Sequence, residues 1–272
     1  MKVAIQGIPG SFHHQVALDV YGSAVEITGF PIFDEVAKAV QLGQVDIGVM
    51  AIENSIAGAI LPNYDLIDRF GLFIESEYYL PISHNLMVLS GTSLQDLREV
   101  QSHPMAILQC QKFFDHYPNI QLTAEKDTAS VAKKISENKL TGIGAIASKK
   151  AAEIYGLDIL EADIQSFKEN YTRFILLKSN NTNTEQNPSK SSLKITIKNE
   201  KGGLAKLLTT LADHDLDLSK IQSIPVMERP WDYAFFIDVL ISDKEQYKHA
   251  LKMVEVSGAT VKILGEYINQ KP

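Results

Sequence analysis

The sequence predicts an α/β fold in two lobes, followed by a smaller domain of order βαββαβ. Three observations predict it. Short apolar runs alternate with helical stretches through about residue 178, the pattern of strands covered by helices. Runs such as Ile47–Ile52 and Ile143–Ala147 are apolar throughout, as in sheets buried on both faces. A polar stretch, 179–192, then ends the pattern, and a different order of elements follows it.

Taken in order, Val3–Ile5 reads as a strand, Gly7–Gly10 as a glycine-bearing turn, and Ser11 as the N-cap of a helix through Val20. Such a turn aims backbone N–H groups at one point and favours an anion. Gly7 and Gly10 are too few and wrongly spaced for a dinucleotide fingerprint. Ala24–Ile27 is a strand, and Phe33–Leu42 a helix with Asp34 as its cap. The buried run Ile47–Ile52 ends in Glu53, Asn54 and Ser55, at the carboxyl end of a strand, where ligands gather in open α/β sheets. Pro62–Phe70 is a helix. Phe73–Leu80 and Pro81–Leu89 are strands that cross from one lobe to the next. Val100–Gln101 leads to Ser102 and His103, and Pro104 opens a helix at its first position. Cys110 falls on that helix among apolar neighbours and is expected in the core. Leu122–Ala124 is a strand, Asp127–Ser130 starts a helix, Ile143–Ser148 is a strand, and the next helix stops at Gly156. Ile159–Ile164 begins the return to the first lobe. Phe174–Leu177 is a last buried strand, with Asn170, Thr172 and Arg173 at its entrance. There a hydroxyl, a cation and an amide sit on a rigid element.

The predicted boundaries are 1–178 for the two-lobed region, with lobe one at about 1–80 and 159–178 and lobe two at about 81–158. The linker is 179–192, exposed and without an apolar residue besides Pro188, as linkers between domains are. Residues 193–272 form the second domain. Leu193–Ile197, a helix opened by Gly202 and Gly203, Leu218–Val226, Ala234–Ile241, a helix over Lys244–Val256 and Val261–Leu264 give the ferredoxin-like order. Its edge strands suit pairing with a copy of itself, so a homodimer or homotetramer is expected.

The 272 residues suit about two domains. A net charge of −7 without a basic cluster argues against a nucleic-acid partner. One cysteine excludes an internal disulfide and a multi-Cys metal site. The start at Met1 lacks a signal-peptide pattern, and no apolar run approaches the roughly 20 residues a membrane helix needs. A cytoplasmic location is expected. His13, His14, His84 and His103 have no carboxylate or second His four residues along a helix, so no metal site is read from them. His103 reads as a helix-entry residue.

Several separated motifs resemble one family. They are Gly10-Ser11-Phe12 with His14, Ile52-Glu53-Asn54-Ser55 with Gly58, Ile82-Ser83-His84-Asn85-Leu86 and Ser102-His103-Pro104 with Gln109-Cys110. Asp127-Thr128-Ala129, Ala145-Ile146-Ala147-Ser148 and Asn170-Tyr171-Thr172-Arg173-Phe174 complete the set. Together the chain resembles the prephenate dehydratases, with a catalytic domain and a C-terminal ACT regulatory domain. The resemblance implies two catalytic lobes similar to type II periplasmic binding proteins, with the site between them. It implies conversion of prephenate to phenylpyruvate, water and carbon dioxide, without a cofactor. It gives Thr172 the catalytic role of helping the hydroxyl depart. Arg173 would grip a substrate carboxylate in a bidentate way. Asn170, Phe174, Ser11, Asn54, Ser55, Glu53, Ser102, His103 and Thr128 complete the implied substrate site, Phe174 by packing.

For the ACT domain the resemblance implies an amino-acid effector, phenylalanine, at Gly202, Gly203, Leu204, Gln222 and Ser223. Here the sequence departs from the family pattern. Gln222-Ser223-Ile224-Pro225 stands where Glu-Ser-Arg-Pro is usual, so two charges are missing. A charged hydrogen bond is worth about 1.5–3 kcal/mol, so effector binding is expected to be weaker by roughly 10- to 150-fold. Two other readings stay open. One is dehydration of arogenate. The other is a non-catalytic small-carboxylate binder with an amino-acid-sensing tail, which would not need Thr172 beside Arg173.

Overall fold

The computed structural model describes residues 1–180, 185, 187–225 and 233–272. Val226, the end of the expected strand Leu218–Val226, lies outside the described residues, as does part of the 179–192 stretch. Lobe one contains β1 (Lys2–Gln6), α1 (Phe12–Tyr21), β2 (Glu26–Phe30), α2 (Phe33–Gln41), β3 (Ile47–Asn54), β4 (Gly58–Ala59), α3 (Leu61–Arg69) and β5 (Phe73–Pro81). Lobe two contains β6 (Asn85–Val88), β7 (Glu99–Ser102), α4 (Pro104–Phe114), β8 (Gln121–Ala124), α5 (Thr128–Asn138), β9 (Ile143–Ala147), α6 (Lys149–Tyr155) and β10 (Asp158–Glu161). Then β11 (Tyr171–Lys178) returns to lobe one. The C-terminal domain follows as β12 (Lys190–Ile197), α7 (Gly203–Asp213), β13 (Leu218–Pro225), β14 (Tyr233–Leu240), α8 (Lys244–Val256) and β15 (Thr260–Tyr267).

The two lobes share one plan. Lobe one has the order β2-β1-β3-β11-β5, and lobe two has β8-β7-β9-β6-β10. In each, three parallel strands are followed by one antiparallel strand that has crossed the boundary. β11 is therefore central in lobe one, between β3 and β5. Its run Phe174–Leu177 is buried, because α1 covers one face of that sheet and α2, α3 and the C-terminal domain cover the other.

The C-terminal sheet has the order β13-β14-β12-β15, as the βαββαβ reading requires. Both faces of β14 are covered, which explains why Ala234–Ile237 is apolar throughout. Phe235, Ile237 and Val239 pack against α7 and α8. The alternate residue Phe236, with Leu264 and Tyr267, joins the core of lobe one beside Tyr64, Ile74 and Ile175. The approach at β15 is close. A Cβ on Gly265 would lie 2.2 Å from the Ile74 carbonyl oxygen, so only glycine lets β15 lie there.

Three boundaries differ from the sequence reading. Lobe two runs past 158, since Ile159, Leu160 and Ile164 pack in its core and β10 pairs with β6. The expected linker is shorter, since Lys190, Ser191 and Ser192 belong to β12 and are buried. Their polarity reads as solvent exposure in sequence, yet it is matched by buried polar partners. Asp34 is not a cap: Ile32 holds the N-cap position of α2 without a side-chain bond, and Asp34 pairs with Arg69.

Candidate active site

A cavity of about 440 Å³ lies between the lobes. Lobe one contributes the β1–α1 turn, the ends of β3 and β11, and Phe33. Lobe two contributes the starts of α4 and α5, with His84 and Gln109. The lobes touch where α6 meets the β1–α1 turn. Ser148 Oγ donates to the Gly10 carbonyl at 2.6 Å, and the Tyr155 hydroxyl to that of Pro9 at 2.7 Å. Gly10 has φ +89°, and a Cβ there would meet the Ala151 backbone at 2.9 Å, so this contact needs glycine.

Three helix N-termini line the cavity. Ser11 caps α1, its Oγ accepting from His14 N at 3.2 Å. His103 caps α4, its Nδ1 accepting from Met105 N at 3.2 Å. Asp127 caps α5, its Oδ1 accepting from Ser130 N at 2.7 Å, with Thr128 beside it. Each such terminus carries partial positive charge from aligned peptide dipoles. Phe12, Phe33, Ile60, Ile82, Met105 and Phe174 supply apolar wall. Among the described residues, no lysine or arginine lines this cavity, and Asp127 is the one carboxylate that does.

Thr172 faces the cavity and its Oγ1 accepts from Asn54 Nδ2 at 3.0 Å. Asn54 is held in turn by Ile56 N and Ala57 N, which donate to its Oδ1 at 3.0 and 2.8 Å. With Oγ1 accepting, the Thr172 hydroxyl hydrogen is left to donate into the cavity. The network extends across the lobes. Asn54 Nδ2 also donates to Asn170 Oδ1 at 2.7 Å, and Asn170 Nδ2 to Gln109 Oε1 at 3.0 Å. His84 Nε2 lies 2.9 Å from the same Gln109 oxygen. Gln109 and His84 were not among the sequence-level site residues. Their motif membership was visible, but nothing local marked their side chains as turned inward.

Strand geometry separates the other expected residues. Alternate side chains of a strand face opposite ways, so Thr172 and Phe174 face the cavity and Arg173 does not. Arg173 is 3% exposed. Its guanidinium pairs with Asp238 and donates to the Tyr267 hydroxyl at 2.9 Å, both in the C-terminal domain. Its Nε lies 2.7 Å from Glu77 Oε2, as an ion pair without hydrogen-bond alignment. Burial opposes the charge, but Tyr267, Asp238 and Glu77 hold it protonated beyond its ordinary range. The expected carboxylate clamp is thus committed elsewhere. Glu53 also faces the C-terminal domain and pairs with Lys220 at 2.7 Å. Ser102 is fully buried and donates to the Ile146 carbonyl at 2.6 Å. Ser55 accepts from Tyr171 N at 2.9 Å and braces the β11 entrance outside the cavity. Asn170 is fully buried and acts through Asn54 and Gln109. Cys110 is buried, and burial pushes its thiol up to about 12.

In the C-terminal domain, Gly202 and Gly203 form the start of α7. Gln222 and Ser223 lie on the edge strand β13. Ile224, where the family usually carries arginine, packs against the core of lobe one.

The histidines predict a pH dependence of stability. Burial lowers the His13 pKa to about 3, and its Nε2 accepts from Ala51 N at 3.3 Å. Burial also lowers those of His14, His84 and His103. The unfolded chain then binds more protons than the native state between about pH 6.5 and 3. Stability is full above about pH 6.5 and falls as pH drops toward 3. Urea midpoints at pH 7, 5.5 and 4.5 are expected to fall in that order, and less steeply in His13→Gln.

The prephenate dehydratase family model matches residues 3–182. An Arabidopsis thaliana relative, "Arogenate dehydratase/prephenate dehydratase 1, chloroplastic", is 35% identical, covering 98% of this chain and 72% of the relative. Among solved structures, the prephenate dehydratase of Arthrobacter aurescens in complex with L-Phe aligns with a TM-score of 0.89 at 25% identity, covering 100% of this chain and 92% of that one. A structure described as GqqA, a quorum-quenching acylase, aligns with a TM-score of 0.88 at 26% identity over 98% of this chain and 97% of that one. The family match over both lobes, and the relative's alignment through the C-terminal domain, place the chain in the prephenate dehydratase family of carbon–oxygen lyases.

Proposed function

We propose that the chain converts prephenate to phenylpyruvate, with Thr172 assisting departure of the ring hydroxyl. The observation that carries this is the Asn54–Thr172 hydrogen bond, which turns the threonine hydroxyl toward the cavity as a donor. In the reaction the bond between ring and carboxylate breaks, and its electron pair enters the ring. The opposite C–O bond breaks, and one proton turns the leaving hydroxide into water. Thr172 delivers that proton and is recharged from solvent. Donation by Asn54 into Oγ1 polarises the hydroxyl, since linked hydrogen bonds strengthen one another.

The substrate dianion is met by helix N-termini rather than by Arg173. The N–H groups around Ser11, His103 and Thr128 approach the cavity from both lobes, where oriented dipoles are worth more than in water. Asp127 bears on the choice of substrate. Arogenate carries an ammonium where prephenate carries a keto group, and Asp127 is the cavity carboxylate that would receive it. Purified protein is expected to form phenylpyruvate from prephenate, read by its absorbance in alkali. A higher kcat/KM for arogenate would overturn the substrate assignment, and no product from either would overturn the activity.

Phenylalanine is proposed as a weakened effector at Gly202, Gly203, Leu204, Gln222 and Ser223, on a face where the free edge of β13 pairs with a second copy. Neither Gln222 nor Ile224 supplies a charge for an amino-acid ammonium or carboxylate. Calorimetry is expected to show binding weaker by roughly 10- to 150-fold than in the Gln222→Glu/Ile224→Arg variant. Equal affinity of the two proteins would reject it.

A further inference from the structure

Two register pairs of the catalytic sheet lie side by side. Thr172 and Asn54 are partners on β11 and β3 and line the cavity. The next pair, Arg173 and Glu53, points to the opposite side. There it meets a register pair of the C-terminal sheet, Asp238 on β14 and Lys220 on β13. The charges are crossed. Arg173 pairs with Asp238, and Glu53 with Lys220 at 2.7 Å. Tyr267 and Ser192 hold Asp238 and Arg173 in one network: Arg173 Nη2 donates to the Tyr267 hydroxyl at 2.9 Å, and Ser192 Oγ lies 2.5 Å from that hydroxyl.

We propose that this crossed set of ion pairs sets the geometry of the Thr172–Asn54 hydrogen bond, making Lys220 and Asp238 positioning residues supplied by the C-terminal domain. The inference rests on Thr172 being catalytic. Its reasoning is mechanical. Each residue that faces the substrate is joined by one peptide bond to a residue gripped from behind, on both strands. A shift of either strand by about 1 Å is enough to change rate by about a hundredfold. The arrangement also places the sheet that carries Gln222 and Ser223 in contact with the catalytic strands. Any displacement of β13 on effector uptake would therefore reach Glu53 directly through Lys220, and Arg173 through Asp238 on the paired strand β14.

The test is steady-state kinetics of the full chain with prephenate for Lys220→Met and Asp238→Asn, with folding checked by near-UV circular dichroism. Both are expected to lower kcat about tenfold or more with KM within about twofold. A residue that merely supported folding would leave the turnover of the folded molecules unchanged. The reversed pair, Glu53→Lys with Lys220→Glu, is expected to recover most of the kcat lost by either single reversal. If Asp238→Asn does not fold, Lys220→Met and the reversed pair carry the test, since Lys220 sits at the open margin of the cluster. Wild-type kcat in folded Lys220→Met and Asp238→Asn would overturn the proposal while leaving Thr172 catalytic. Full turnover in Thr172→Val would remove the reading on which it rests.

Discussion

Replacing Thr172 by valine is expected to lower kcat by about 10²–10⁴ with KM within about threefold. Valine keeps the branched shape and suits a strand, so β11 should retain its register between β3 and β5. The change removes one hydroxyl. Asn54 Nδ2 loses Oγ1 as an acceptor but keeps Asn170 Oδ1 at 2.7 Å and the Tyr171 carbonyl at 3.2 Å, so no donor is stranded. The helix N-termini that receive the dianion are untouched, which is why substrate binding should hold. An interaction made only as the hydroxyl leaves appears in kcat and kcat/KM together. Thr172→Ser restores the hydroxyl and should recover turnover to within about tenfold of wild type. Single-turnover conversion of prephenate separates the chemical step from product release. A valine variant within tenfold of wild type would remove Thr172 from the chemistry.

Much of this site was legible because its parts are local. Ser11 reads as an N-cap, Asp127 as the start of a helix and His103 before Pro104 as a helix-entry residue, and all three are N-caps in the fold. Thr172 on a strand entrance was legible for the same reason. The direction of Arg173 was also encoded locally, since a residue beside Thr172 on a strand must face away from it. Family resemblance overrode that simple alternation. What Arg173 meets was not legible. Asp238 lies 65 residues further along the chain, and no local pattern links the two. Lys190 shows the same limit more sharply. In a run of Ser, Asn and Lys it reads as a solvated linker, yet it is 1% exposed and pairs with Glu77, 113 residues away. Buried polar residues are placed by partners, and partners distant in sequence leave no mark on the surrounding composition.

Those partners make Glu77→Ala the most destabilising single change expected in the chain. The cluster beneath β11 balances two cations, Arg173 and Lys190, with two carboxylates, Glu77 and Asp238, all of them buried. Burial and the nearby Arg173 already pull the Lys190 ammonium below its usual range. Glu77 Oε2 meets Lys190 Nζ at 2.9 Å and Arg173 Nε at 2.7 Å, and its Oε1 accepts from Gln270 N at 3.0 Å. Alanine would leave two buried cations against one carboxylate, and it would strand the Gln270 amide. Removing one member of a buried ion pair costs about 3–5 kcal/mol, against about 0–1 kcal/mol for an exposed pair. Lys150–Glu153, exposed on α6, is the matched control, and Glu153→Ala should cost under about 1 kcal/mol. Because Glu77 lies on β5 while Lys190 belongs to β12, the loss falls on the joint between lobe one and the C-terminal sheet. Urea unfolding of Glu77→Ala is therefore expected to split into two transitions, the C-terminal domain separating first. A single transition within about 1 kcal/mol of wild type would mean that the apolar contacts of Phe236, Leu264 and Tyr267 hold the domains together without the charges.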